Sequence, residues 1–259
     1  MGTGEWINIK NNQRIGENIY SMTLEAVEIS QDAKAGQFIH LLCGKEYGAL
    51  LRRPFSLSTI DKKNRKLSIV YRVQGKGSKS LSEMKRGERI HALGPLGKGF
   101  LLDSYYKNVA VVAGGMGIAP LMEVIRYYGK QSRIYLGFMA EPILVEEIKS
   151  FTNHIQVTTE KGTIGRKGLI TENLLSQWEE NPPEIVYTCG PRGMMKEVAK
   201  ISEELIIPCQ VSMEERMGCG IGACLVCSCK TMKKNQKNEY TRVCKDGPVY
   251  WGSEVVWDE

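Results

Sequence analysis

Five of the chain's eight cysteines lie near its C-terminal end, four of them in ERMGCGIGACLVCSCKT, residues 215–231. Their spacing is Cys219-x4-Cys224-x2-Cys227, then sixteen residues to Cys244. Plant-type [2Fe–2S] clusters use this spacing. A two-iron centre needs two thiolates per iron, so a short loop can supply three while a distant segment returns with the fourth. Gly218, Gly220 and Gly222 let such a loop wrap closely and turn its N–H groups toward the sulfurs. Zinc bound by four thiolates is the alternative reading, and an ordinary buried loop a third. Zinc ribbons usually present two C-x2-C pairs, whereas here the second half offers a single cysteine. Cys229 falls outside the spacing and is expected not to ligate. A four-thiolate cluster carries about −2 charges when oxidised and one more when reduced. Arg216, Lys230, Arg242 and Lys245, close by in sequence, would offset part of that charge.

Two further stretches suit phosphate-bearing ligands. VVAGGMGIAP follows an apolar run and opens a helical pattern, where a glycine-rich turn can set a pyrophosphate on a helix N-terminus. Gly115-x-Gly117-x-x-Pro120 departs from G-x-G-x-x-G at its last position, so a tight structural turn explains it equally well. EIVYTCGP supports the ligand reading, because Cys189, Gly190 and Pro191 end a strand at the edge where parallel sheets bind ligands. Glu141, just past RIYLGFMA, stands where a carboxylate could accept ribose hydroxyls and repel an extra phosphate; an ordinary surface glutamate fits as well. Nearer the N-terminus, RRPFSLS puts Arg52 and Arg53 at the head of a strand, and arginine grips phosphate bidentately. Solvated arginines on an edge strand would look the same. VYRVQGKGSKSL offers a strand, a Gly75-x-Gly77 turn and Ser78 opening a helix, a second place for a diphosphate or simply a capped helix.

The elements that must hold these residues change character along the chain. Through the first hundred residues, IYSMTLEA, QFIHLLC, PFSLSTI, KLSIVYRV and ERIHALG read as closely spaced strands, interrupted by one short helix, SKSLSEMK. Such strands predict a small antiparallel barrel or sandwich. From about residue 108, strands and helices alternate: NVAVVAG, GIAPLMEVIRYYG, RIYLGF, VEEIKSF, HIQVTT, GLITENLLSQW, EIVYTCG, RGMMKEVAKISEEL and IPCQVSM. This rhythm predicts a parallel sheet covered on both faces. The expected division is a barrel over 1–103, an α/β domain over 104–212 and a small cysteine module over 213–259, too short for a core without a metal.

The remaining composition is that of a soluble globular protein: 259 residues, 42% apolar and 25% charged. The start lacks a basic segment followed by an apolar one, so no secretory signal is expected. The most apolar window, VAVVAGGMGIAPLMEVI, falls short of the roughly 20 residues a membrane helix needs. A cytoplasmic, membrane-free protein follows, and clustered thiols in a reducing compartment point to metal rather than disulfides. Cys43, Cys189 and Cys209 sit among apolar residues and read as buried small hydrophobes. The net charge of +6 is spread along the chain without a basic aromatic stripe, so nucleic-acid binding is not expected.

Together these pieces resemble the ferredoxin–NADP reductase superfamily over roughly residues 5 to 212. With the cysteine segment added, SMEERMGCGIGACLVCSCKT and YTRVCKDGPV, the whole chain is similar to the electron-transfer subunits of NAD-dependent (class 1B) dihydroorotate dehydrogenases. The superfamily commonly has tyrosine where this chain has Phe55, which loses a hydroxyl but leaves a ring for flavin stacking. The resemblance implies FAD contacts at Arg53, Pro54, Phe55 and Ser56, at Val70, Tyr71 and Arg72, and at Gly77 and Ser78. It implies [2Fe–2S] ligation by Cys219, Cys224, Cys227 and Cys244, and NAD contacts at Gly115, Gly117, Cys189, Gly190 and Pro191. The implied activity passes electrons from the FMN of a catalytic partner subunit through the cluster and FAD to NAD+, in pyrimidine synthesis, within a heterotetramer of two subunits of each kind. Flavin–iron–sulfur subunits of sulfhydrogenases or ferredoxin-dependent transhydrogenases would share the cofactors with another partner. A zinc-stabilised nucleotide-binding adaptor is the alternative without electron transfer.

Overall fold

The computed structural model describes residues 2–43, 51–232 and 238–257. The chain divides into two compact units. One comprises Met1–Gly99, Glu214–Cys229 and Arg242–Pro248; the other comprises Phe100–Met213, Lys230–Thr241 and Val249–Glu259.

In the first unit six antiparallel strands close into a barrel in the order β1-β2-β5-β4-β3-β6. They are β1 (Thr3–Gly16), β2 (Ile19–Glu25), β3 (Phe38–Leu41), β4 (Arg53–Asp61), β5 (Lys66–Arg72) and β6 (Arg89–Leu96). Alternation does the sorting: along β6, Ile90, Ala92 and Leu96 are buried while Arg89 is exposed. Ile7, Met22, Leu24, Ile39, Leu57 and Ile69 meet in the core. Short helices α1 (Ile29–Asp32) and α2 (Lys76–Glu83) lie in the connections. β1 is the barrel strand that the sequence patterning did not reveal. Its register shifts near Ile9/Asn11 and again near Arg14/Gly16, and each irregularity breaks the period-two signal.

The second unit holds β7 (Val109–Gly114), β8 (Ser132–Phe138), β9 (Ile155–Thr159), β10 (Arg166–Lys167), β11 (Ile185–Cys189), β12 (Cys209–Ser212) and, later in the chain, a strand at Val249–Trp251. The sheet order is β10-β9-β8-β7-β11-β12 followed by Val249–Trp251. Its pairs are parallel except the last, where Val249–Trp251 runs antiparallel to β12. β7 is buried along its whole length, as a continuous apolar run in a covered parallel sheet should be. The helices are α3 (Ile118–Tyr128), α4 (Val145–Lys149), α5 (Leu174–Glu180) and α6 (Arg192–Glu204). The expected helix from residue 168 opens instead as a 3-10 turn, Ile170–Asn173, before α5. A two-stranded ribbon, β13 (Ser228–Met232) with β14 (Asn238–Arg242), precedes the edge strand, which becomes β15.

The C-terminal stretch set apart by sequence after residue 212 is thus distributed over both units. Residues 214–229 and 242–248 join the barrel, where Lys98 N donates to Gly247 O (2.6 Å). Residues 249–251 extend the sheet. A segment this short gains stability by adding to larger cores rather than forming one. Among the described residues no helix is long and apolar enough to cross a membrane.

Candidate functional site

The four cysteines singled out by spacing come together as two pairs within the barrel unit. Cys219 N donates to Cys224 Sγ and Cys224 N to Cys219 Sγ, both at 3.4 Å, and Ala223 N donates to Cys219 Sγ at 3.3 Å. In the second pair Cys244 N donates to Cys227 Sγ at 3.4 Å, while Val243 N reaches Cys227 O at 2.9 Å. Among the described residues no three His, Cys, Asp or Glu side chains converge as a single-ion site would require. Two thiol pairs backed by amide N–H groups fit a two-iron centre, one pair to each iron.

The electrostatics differ between the pairs. Burial pushes the Cys219 thiol up, but N–H groups of Ile221, Cys224 and Ala223 and the Cys224 thiol outweigh it and bring the pKa to about 6. Cys244 is pushed up, first by burial and then by the neighbouring Cys227 thiol. Cys229 is buried at the start of β13.

The segment bearing Cys244 is fastened to the loop bearing the other three. Arg242 Nε donates to Asp246 Oδ2 at 2.9 Å, and its Nη1 donates to the Gly222 carbonyl at 3.1 Å. The Arg242 guanidinium holds the Asp246 carboxyl below its ordinary range. In the sequence Arg242 stands out only as a charge; its part as a clasp comes from the fold.

Beneath the loop lies a residue that sequence reading passed over. His40 of β3 is fully buried, and neither ring nitrogen makes a well-formed hydrogen bond, the nearest contact being the Cys219 backbone. Burial first, then the Arg52 guanidinium, lowers its pKa to about 4, although the backbone of nearby Cys219 raises it. The ring is therefore neutral near pH 7. An imidazole buried without partners costs roughly 1–3 kcal/mol per unmade bond. A Cβ placed on Gly220, which has φ +74°, would lie 2.5 Å from His40 Nδ1, so the loop backbone rests directly on the ring. The signal in the sequence was one polar residue in the apolar run FIHLL.

Across the β3–β4 ladder His40 pairs with Pro54, Ile39 with Phe55 and Phe38 with Ser56. Residues directly opposite share a face of the sheet. Arg53, Pro54, Phe55 and Ser56 are half-buried. Arg53 Nη1 donates to Leu51 O at 2.7 Å, and its Cγ lies 3.4 Å from where a Cβ on Gly77 would stand. The strand carrying Arg53 thus meets the start of α2 closely. Ser78 Oγ accepts from Gln74 N (2.9 Å) and Gly75 N (3.1 Å), which fixes the turn into that helix. Val70 and Arg72 flank Tyr71 on β5; Arg72 is exposed, while the Tyr71 ring is buried against Phe55 at 5.6 Å and donates to Asn12 Oδ1 at 3.0 Å. The side chain at 71 is occupied by the barrel core, which leaves only its backbone free to meet a ligand.

In the sheet unit, β7 lies between β8 and β11, and the chain moves outward from it in opposite directions. Ligands of open parallel sheets sit at such a reversal, beyond the carboxyl ends of the strands. The turn after β7 and the turn after β11 meet there. A Cβ on Gly117 would collide with Cys189 O, and one on Gly190 would approach Gly114 N to 2.8 Å. Gly115, by contrast, opens onto free space. Gly115, Gly117, Cys189, Gly190 and Pro191 are therefore one constellation around the starts of α3 and α6. Glu141 is exposed three residues past β8, the strand next to β7. Arg192 follows Pro191 with its guanidinium 5.8 Å from the Trp257 ring and its Nη2 bonded to Val256 O at 3.0 Å. Nothing in the sequence spacing linked 192 to 257.

Two family models match the chain: the iron–sulfur cluster binding domain of dihydroorotate dehydrogenase B over residues 214–256, and the oxidoreductase NAD-binding domain over residues 111–200. A solved structure of an NADH-dependent reduced ferredoxin–NADP oxidoreductase is similar, with a TM-score of 0.83 and 28% identity, covering 97% of this chain and 90% of that one. Among curated relatives, the dihydroorotate dehydrogenase B (NAD(+)) electron transfer subunit of Desulforamulus reducens is 37% identical, over 94% of this chain and 95% of its own. The protein of the same description from Caldanaerobacter subterraneus subsp. tengcongensis is 42% identical, over 96% of this chain and 97% of its own. At that identity across nearly its full length, and with the cysteine pairs in place, the chain belongs to the family of electron transfer subunits of dihydroorotate dehydrogenase B (NAD(+)).

Proposed function

We propose that the chain is the electron-transfer half of a cytoplasmic, NAD-dependent dihydroorotate dehydrogenase. It carries electrons from the FMN of a catalytic subunit, by way of a [2Fe–2S] cluster and FAD, to NAD+ in pyrimidine synthesis, within a heterotetramer of two subunits of each kind. The observation that carries this reading is the pair of thiol pairs, Cys219 with Cys224 and Cys227 with Cys244, in the unit that also contains the Arg53–Ser56 strand. When bound, the cluster supplies one-electron transfer, and the flavin converts single electrons to the hydride that nicotinamide accepts.

The residues of this chain bind, orient and exclude water. The four cysteines hold the irons, and the Arg242–Asp246 clasp keeps the fourth ligand in register. In the barrel unit, Arg53 grips a flavin diphosphate together with the Gly77–Ser78 helix start, and Pro54, Phe55 and Ser56 line the flavin beside the backbone of Val70, Tyr71 and Arg72. Gly115 and Gly117 admit the dinucleotide pyrophosphate to the start of α3. Cys189, Gly190 and Pro191 border the nicotinamide, and Glu141 accepts the ribose hydroxyls. In functional terms residues 1–103 serve FAD, 104–212 serve NAD and 213–259 serve the cluster. Oxidation of dihydroorotate belongs to the partner's chemistry.

Anaerobic purification with the catalytic subunit tests the proposal. The expected result is about two irons and two sulfides per chain, one FAD, and orotate reduction by NADH. Stoichiometric zinc in place of iron removes the scheme, while an intact holo-complex inactive on orotate removes the pyrimidine assignment alone. Cys244→Ser is expected to abolish the cluster's visible absorbance and leave FAD bound.

A further inference from the structure

His40 is a buried polar group with no well-formed hydrogen bond at either ring nitrogen, although the Cys219 backbone lies close enough to favour its protonated form. Buried side-chain polar atoms nearly always have partners in native structures, so an orphaned imidazole calls for one. Its surroundings narrow the choice. The ring lies on the sheet face it shares with Pro54, and the Cys219–Gly220 backbone covers it, with Nδ1 2.5 Å from a Cβ position on Gly220. A side chain larger than glycine's at 220 would push the loop off the ring. Arg52, its cationic neighbour just before β4, cannot accept a hydrogen bond and is engaged with His91, Nη2 to Nδ1 at 2.9 Å. Two acceptors are then at hand, the Cys219 carbonyl close to the ring and a sulfur enclosed by the loop.

We propose that His40 is a positioning residue for the iron–sulfur centre: its ring props the Cys219–Gly220 backbone, and its single N–H is given to a sulfur of the bound cluster. This rests on the cluster reading above. A donor to cluster sulfur favours the more negative, reduced state and so raises the reduction potential. No bond forms or breaks at the ring; one hydrogen bond strengthens as the centre gains an electron.

The test uses the full chain in complex with its catalytic subunit. The wild type, His40→Leu and His40→Gln are compared by iron, sulfide and flavin content and by EPR-monitored redox titration. For His40→Leu with iron retained, the reduced-to-oxidised ratio of the cluster at fixed ambient potential is expected to fall about tenfold. That is a midpoint about 59 mV more negative for one electron. The amide donor of His40→Gln should recover part of the shift. Loss of iron from His40→Leu with FAD content and melting temperature unchanged also supports the proposal, since only the propped loop is then lost. A His40→Leu cluster with wild-type potential and wild-type EPR spectrum overturns it. So does loss of FAD together with iron in both variants, which marks His40 as core filling. A wild type without iron overturns the cluster reading, and this inference with it; a variant failure beside an iron-replete wild type touches this inference alone.

Discussion

Cys219 and Cys244 are chemically unlike although both are proposed as cluster ligands. Cys219 titrates near 6 because four hydrogen bonds favour its thiolate over the burial that opposes it, whereas burial keeps Cys244 protonated. In cluster-free protein, alkylation by iodoacetamide should label Cys219 with a midpoint near pH 6, while Cys244 stays unlabelled until the solution is strongly alkaline. Peptide mass spectrometry across a pH series checks this; equal labelling of the two would refute it. Loading the centre must therefore expel the Cys244 proton, so assembly should be favoured by rising pH. Glu141 is exposed, so in the proposed role at the ribose it acts on specificity through charge. Glu141→Gln should narrow the preference for NADH over NADPH roughly tenfold, the worth of one charge repulsion near a protein surface. The ratio of kcat/KM for the two nucleotides is the measurement.

At the level of elements, the constellation proposed to border nicotinamide depends on two turns that meet closely at Gly117 and Gly190. Gly117→Ala puts a methyl into the Cys189 carbonyl, a backbone contact that no rotamer relieves. The expected cost is about 1–3 kcal/mol, read as a melting temperature lower by about 2–4 °C per kcal/mol and a raised KM for NADH with ferricyanide as acceptor. A melting temperature and KM equal to wild type would show that the turns tolerate the atom. The clasp in the cysteine segment has a pH signature. Asp246 is held below its ordinary value of 3.8 in the folded chain, chiefly by Arg242. Its stabilisation is therefore complete above that value and is lost as pH falls through the lowered one. Cluster half-life should be shorter in Asp246→Asn than in wild type at neutral pH, and the difference should close on acidification below 3.8. A pH-independent difference would mean that the carboxylate acts by shape alone.

For the whole molecule, the two units share the C-terminal stretch: residues 214–229 and 242–248 belong with the barrel, and 249–257 with the sheet. Truncation after Met213 should do more than remove the cluster. It uncovers His40 in one unit and strips β15 from β12 in the other. The melting temperature should fall well below that of Cys244→Ser, which loses only the metal; equal melting temperatures would show that the stretch adds nothing beyond the cluster.

Sequence by itself determined the kinds of element and the chemistry. The spacing of Cys219, Cys224, Cys227 and Cys244, the strand–helix rhythm after residue 108 and the glycine turn after β7 are local patterns, set by periodicity and by loop reach. β1 escaped because its bulges interrupt the two-residue period, and the 3-10 opening of α5 escaped because helical patterning does not separate the two helix types. Only the tertiary structure decided that the thiols stand in pairs, that Tyr71 turns its ring into the core, that Trp257 lies against Arg192, and that His40 sits without a well-formed hydrogen bond beneath Gly220. Those are contacts between residues far apart in the chain. Which residue covers which depends on how whole elements pack, and a local pattern carries no record of that.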